Sequence, residues 1–263
     1  MMRPLGESAV VVSFGDTPGE ETRRAIRRYA AALAAHPLPW VKELVPAYTT
    51  LTVYYDPMML YSAIRPGAGP ELASSDRGQV RASGERYRDR DSEWGVLFAS
   101  ACEAIERLFA SADAAVAEVS PRVVDVPVCY GGSFGPDLDT AASLCGLSET
   151  ELIRLHSEAV YAVEMIGFVP GFPYLSGLPM QLAVPRRAVP RLSVPAGAVA
   201  IGGSQTGVYP LETPGGWHII GRTPLRLFRP ELESPALLAA GDLVRFQPVT
   251  ADRYAEIERG ERR

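Results

Sequence analysis

The stretch "VPAGAVAIGGSQTGVYPLETPGGWHIIGRT", residues 194–223, concentrates most of the groups in this chain with the means to do chemistry. His218 can give or take a proton near neutral pH. Arg222 can hold a carboxylate through its planar fork of donors. Gln205, Thr206 and the backbone N–H groups of Gly202 and Gly203 offer polar contacts, and the glycines let backbone approach a ligand closely. Tyr209 and Trp217 supply apolar faces with a hydrogen-bonding edge. Gly216 shapes the turn before Trp217. This set fits acid–base work on a small polar molecule: His218, Gln205 and Arg222 as the catalytic candidates, Gly202, Gly203, Thr206, Tyr209, Gly216 and Trp217 as its walls.

Each residue also has a plainer reading, and residue type alone leaves both open. Trp217, in "PGGW", can be a core plug. His218, next to "II", can satisfy a backbone carbonyl. Arg222, in "GRT", can brace a turn. His156, inside "SETELIRLHSEAVYAVEMI", reads as a buried, satisfied histidine. A second odd stretch is "GFVPGFPYLSG", Gly167–Gly177. Phe168 and Phe172 are candidate binding surfaces there, and Tyr174 shares the work of anchoring the loop.

Familiar motifs are missing. The sequence has no GxxxxGK[ST] and no strand–GxGxxG–helix unit, so it shows no phosphate-cradling loop. It has no HExxH, no close His/Cys grouping for a metal, and no GxSxG elbow. Net charge is −5, which argues against a nucleic-acid binder. No apolar run reaches the ~18–20 residues of a membrane span. The N-terminus shows no signal-peptide core, and Cys102, Cys129 and Cys145 lack close pairing, so reduced thiols and a cytoplasmic location are expected.

The elements that must position these groups divide at about residues 115–120. In the first part, "SAVVVSF" reads as a strand. "TPGEETRRAIRRYAAALAAHP" reads as a helix opened by Thr17 as N-cap, Pro18 at N1 and Glu20 at N3. "VKELVPAYTTLTVYYDP" reads as a strand pair closed by Asp56-Pro57. "SEWGVLFASACEAIERLFASA" reads as a helix with an apolar stripe at Phe98, Ala101, Cys102, Ile105, Leu108 and Phe109. This order suits a two-layer α/β sandwich with both helices on one face of an antiparallel sheet, residues 1–115. The polar run Arg65–Ser92 reads as an exposed, mobile linker inserted in it.

The second part, residues 120–263, opens with "RVVDVPVCYGG", a strand made edge-like or bulged by Pro127. Two helices follow, one started by Asp139 and ended by Gly146, the next opened by a Ser148/Glu151 capping box and running to Ile166. Twelve of the 23 prolines lie beyond residue 165. There, β-branched residues alternate with Pro and Gly at close intervals, which indicates a compact barrel or sandwich. "AGDLVRFQPVT" adds a strand and "TADRYAEIERG" a short helix.

Together "GFVPGFPYLSGL", "HSEAVYAVEMIGF", "VPRRAVPRLSVPAGAVAIGGSQTGVYPLETPGGWHIIGRTPLRLF", "GESAVVVSFGD" and "VPAYTTLTVYYDP" resemble the family of 5-oxoprolinase B subunits, also called the KipI or allophanate hydrolase subunit 1 family. The resemblance covers nearly the whole chain except Arg65–Ser92. It implies an α+β protein whose small N-terminal α/β sandwich is followed by a cyclophilin-like β-barrel. It implies a homologous cyclophilin-like partner, the C subunit, and a further A subunit. With them such proteins hydrolyse 5-oxo-L-proline to L-glutamate at the expense of ATP, which the assembled complex uses. The family also includes an inhibitor of a sporulation histidine kinase and carboxyltransferase-type subunits that act on urea-like amides.

Overall fold

The structure, a computed structural model, describes residues 1–65, 93–112 and 120–261. The expected linker lies outside them beyond Arg65. The chain divides into two compact units, Met1–Val119 and Ser120–Arg263.

In the first unit, strands β1 (Met2–Pro4), β2 (Ala9–Ser13), β3 (Val41–Ala47) and β4 (Thr50–Tyr55) form an antiparallel sheet in the order β1-β2-β4-β3. Helices α1 (Glu20–Ala35), α2 (Pro57–Ile64) and α3 (Glu93–Ala112) complete it. Strand alternation sends Val10, Val12, Leu51 and Val53 to one side, where they pack with Leu33, Leu60, Leu97, Ala101 and Ile105. The two-layer arrangement is the expected one, but two local details differ. Helix α1 begins at Glu20, not at the Thr17–Pro18 signal, because Gly19 adopts an extended backbone (φ −173°, ψ 171°) that interrupts the run. Asp56-Pro57 does more than close the strands. The Asp56 carboxylate accepts from the Met58 and Met59 amides with Pro57 in the first turn, which opens α2.

The second unit contains β5 (Val123–Tyr130), α4 (Leu138–Cys145), α5 (Glu149–Glu158), β6 (Val160–Ile166), β7 (Pro173–Ser176), β8 (Arg191–Val194), β9 (Ala198–Gly202), β10 (Gln205–Val208), β11 (Thr213–Gly215), β12 (His218–Arg222), β13 (Leu243–Pro248) and α6 (Ala251–Glu261). Seven strands close a barrel in the order β10-β7-β6-β13-β5-β12-β9, while β8 and β11 form a separate ribbon. Val126, Val163, Leu175, Val199, Ile201, Ile220, Val244 and Phe246 fill the interior. The barrel expected from the Pro/Gly-punctuated runs is therefore present.

Three readings of this half need correction. The helix expected to reach Ile166 stops at Glu158, and residues 160–166 are strand β6. An apolar run cannot be assigned by periodicity alone. Here Val160–Ala162 pair with β13, residues 162–166 pair with β7, and those ladders select the strand. Gly167 thus opens a β6–β7 hairpin loop instead of ending a helix. The N-cap of α4 is Asp137, not Asp139, whereas Gly146 does end it in the left-handed conformation (φ 68°). Strand β5 is no edge: it pairs with β13 on one side and β12 on the other. Pro127 is tolerated because Val249 donates to the Val128 carbonyl, so by alternation Pro127 faces away from β13, beyond the last β12 rung at Cys129.

Candidate functional site

Thr206 on β10 stands opposite Ile201 on β9, and Ile201 stands opposite His218 on β12. Directly opposed residues share a sheet face. Ile201 belongs to the barrel interior, so Thr206 and His218 face inward at the same end, two strand spacings or roughly 10 Å apart. Two polar systems grow from this row.

The first centres on His156, which α5 delivers to the barrel with no exposed surface. Its Nδ1 lies 2.8 Å from the Tyr130 hydroxyl and its Nε2 2.9 Å from Thr206 Oγ1. Thr206 Oγ1 donates its proton to the Ala200 carbonyl, so towards His156 it accepts. The network therefore assigns the proton to Nε2 and leaves Nδ1 to accept from Tyr130. The ring stacks on Phe246 at 4.6 Å, and Tyr161 donates to the His156 carbonyl. Burial pushes the His156 pKa down to about 3. His156 is a neutral, fully partnered core residue, as its position in the sequence suggested.

The second centres on His218, also buried. Its Nε2 is 3.1 Å from the Pro185 carbonyl, which can only accept, so Nε2 carries the proton. Nδ1 is then a lone pair, buried and without a partner among the described residues. Residues 185–187 run alongside 216–218: the Arg187 amide donates to the Gly216 carbonyl, and the Arg186 guanidinium lies 6.0 Å from the Trp217 ring centre. Beneath them sits Asp137. Its carboxylate accepts from Arg187 Nη1 (3.0 Å), from both Arg191 Nη atoms (2.7 Å each) and from the Ile219 amide (2.8 Å). Burial pushes the Asp137 carboxyl up, but Arg191, the Ile219 amide and Arg187 outweigh it and hold it below the usual carboxylate range. Arg187 and Arg191 thus pair with one carboxylate beside His218, while Arg186 lies over Trp217.

The other expected site residues distribute as follows. Trp217 points to the outer face of the barrel wall, where it packs with Phe172, Tyr209, Ala198 and Ala200. It is a core plug, and Gly202 exists to admit it: a Cβ there would come within 2.6 Å of the indole. Gly203, in the left-handed region (φ 64°), gives its amide to the Val184 carbonyl, so that N–H is not offered to a ligand. Gln205 pairs with Gly202 across the β9–β10 hairpin. The Gly216 carbonyl is taken by Arg187. Arg222 braces the Ala196 carbonyl from the far end of β12, about 13 Å from His218 at ordinary strand rise. Phe168, exposed at the tip of the β6–β7 loop with φ 69°, stacks edge-on against buried Phe172. The structure therefore gathers Gly202, Gly203, Gln205, Thr206, Gly216, Trp217 and His218 at one end and leaves Arg222 and Phe168 outside. Sequence reasoning missed Asp137, Arg186, Arg187 and Arg191. The signal for the arginines is the "VPRRAVPRL" run, with Arg186 and Arg187 between two prolines and Arg191 directly after the second; Asp137, in "GPD", has no comparable signal.

Among the described residues no group of three or more His, Cys, Asp or Glu side chains is placed to hold a metal ion. The three cysteines are free thiols, and burial, with Glu106 nearby, pushes Cys102 up to about 11. No helix among the described residues is long and apolar enough to cross a membrane.

An α/β sheet unit followed by a closed barrel of this kind defines a known class: the chain belongs to the family described as carboxyltransferase domain, subdomain C and D, whose model matches residues 1–238. It is 42% identical over 250 residues to the 5-oxoprolinase B subunit of Bacillus subtilis (strain 168), across 95% of this chain and 93% of that one. It is 56% identical over 152 residues to the 5-oxoprolinase B subunit of Escherichia coli O157:H7, across 58% of this chain and 69% of that one. Among solved structures, TTHA0988 matches 95% of the chain with a TM-score of 0.68 and 32% identity, and this chain spans 41% of that longer one. Kluyveromyces lactis urea carboxylase shares the fold, at 15% identity and a TM-score of 0.62, over 99% of this chain and 22% of that one.

Proposed function

We propose that this chain is the B subunit of an ATP-dependent 5-oxoprolinase and acts in the cytoplasm with a homologous C subunit and an A subunit to convert 5-oxo-L-proline to L-glutamate. The observation that carries the reading is the 42% identity across 95% of the chain to a protein named as the B subunit of 5-oxoprolinase. The rim around His218 has the matching chemistry. Arg187 and Arg191 are committed to Asp137, so of the nearby cations Arg186, over the Trp217 ring, suits the substrate carboxylate, a role Arg222 is too distant to share. Opening an unstrained lactam requires activation of its amide oxygen, by phosphorylation, before water attacks. Once the assembled complex opens a path to the buried Nδ1 lone pair, His218 takes a proton from that water as the C–O bond forms and returns it to the ring nitrogen as the C–N bond breaks; hydrolysis of the resulting acyl phosphate then releases phosphate and glutamate.

ATP does not fit the described residues as a bound group. The glycine-rich turn Gly131–Asp137 does run from a strand into a helix. It ends on the Asp137 carboxylate, which two arginines already occupy and which would repel a phosphate. Nucleotide chemistry is therefore assigned to the partner chains. Co-expression with candidate A and C subunits and an assay of ATP-dependent glutamate release tests the reading. Release is expected only with all three together, and silence from a folded, assembled complex would sink it. The family description favours a second reading, a carboxyltransferase acting on a urea-like amide. Such a complex also needs a biotin carboxylase and a biotin carrier, and neighbouring genes encoding them would support it. The kinase-inhibitor reading requires only a docking surface, so it predicts no loss of activity on changing His218.

A further inference from the structure

We infer that Asp137 is the positioning residue for His218, holding the Pro185 carbonyl against Nε2–H so that Nδ1 is kept as the bare lone pair. Asp137 occupies the N-cap position of α4, yet its side chain makes no capping hydrogen bond. Its four acceptor contacts are spent elsewhere, on the two walls around His218. One wall is strand β12, caught at the Ile219 amide, the residue directly after His218. The other is the segment 185–187, caught at Arg187, two residues beyond the carbonyl that takes the His218 proton. A further bond, from the Arg187 amide to the Gly216 carbonyl, closes the frame. Arg191 grips both Asp137 oxygens and fixes the plane of the carboxylate.

The consequence is chemical. A carbonyl held by its own loop alone can drift, and Nε2–H then exchanges with water or the imidazole turns over. A base oriented by a third group keeps one tautomer and one lone-pair direction, the arrangement nucleophile–base–orienter sites share. Asp137 ties both walls to a third element, the start of α4, and its burial with two cations makes that tie rigid. The positioning statement concerns this chain by itself. Its bearing on turnover rests on the role proposed above for His218, and the experiment reads the two separately.

The chain has three histidines, so a sample labelled with nitrogen-15 at histidine gives few ring signals, and His218→Gln assigns the one of interest. In the full-length chain, His218 is expected to show a single tautomer with an observable Nε2–H proton. Asp137→Asn and Arg187→Gln are both expected to lose that proton to exchange or tautomer mixing. Arg187 is partly exposed, and its variant keeps both Arg191 bonds, so it carries the test if Asp137→Asn does not fold. An unchanged Nε2–H signal in folded Asp137→Asn, or in Arg187→Gln where the former is unfolded, overturns the inference. In the reconstituted complex the same variants are expected to lower kcat about tenfold with KM nearly constant. A lost proton signal with full turnover would leave the positioning intact and remove His218 from the chemistry.

Discussion

Two histidines sit at the same end of one barrel, both buried, both assigned the Nε2–H tautomer, and they differ in a single bond. His156 has a partner on each nitrogen, through Tyr130 and Thr206. His218 has one, the Pro185 carbonyl, and its other nitrogen has none among the described residues. Burial is common to both, so the count of satisfied atoms is what distinguishes them. A buried polar atom without a partner costs free energy, and that cost is the observation behind the role proposed for His218.

That contrast breaks first on stability. His156→Ala removes a ring stacked on Phe246 and orphans the Tyr130 hydroxyl, an expected loss of about 4 kcal/mol in urea unfolding. His218→Ala is expected to lose less than half as much, and the reverse ranking would undo the distinction. Next comes turnover. In the reconstituted complex His218→Ala is expected to slow glutamate release about 100-fold, or about 2.7 kcal/mol of barrier. A change within about twofold would remove any proton-transfer role.

Acid gives a third, smaller test. Unfolded, His156 takes up a proton below about pH 6.5; folded, it does so only near pH 3. Between these values the unfolded chain binds the extra proton, so stability falls as pH falls, by about 2 kcal/mol at pH 5. Urea midpoints at pH 7 and 5 measure it, and His156→Gln is expected to flatten the difference. The smallest effect belongs to Thr206→Val, which keeps the shape but takes the acceptor from His156 Nε2–H: about 1 kcal/mol, read in the same way.

Some of this is readable in the chain alone. The Ser148/Glu151 box and the Gly146 stop are legible because capping is settled among neighbours in sequence. The barrel is legible because Pro and Gly exclude helix wherever they cluster. The α2 start at Asp56-Pro57 carries the same kind of local signal, which a turn also satisfies. Strand β6 is not legible. "VYAVEMI" satisfies either period, and only β13 and β7, at distant positions in the chain, settle which it becomes. The site divides in the same way. His218 stands out by residue type. Asp137 cannot, since its partners are 50, 54 and 82 residues away.

The amino-acid sequence by itself determined the two-part α+β plan, the helix caps, the barrel composition and the family, because these depend on local backbone preference and on long runs of matching residues. The tertiary structure alone decided that Trp217 is a plug, that Arg222 braces a distant turn, and that Asp137 with Arg187 and Arg191 frames His218. Those outcomes depend on which strands close against which, and hydrogen bonds between residues far apart in the chain exist only once the barrel has brought them within about 3 Å of each other.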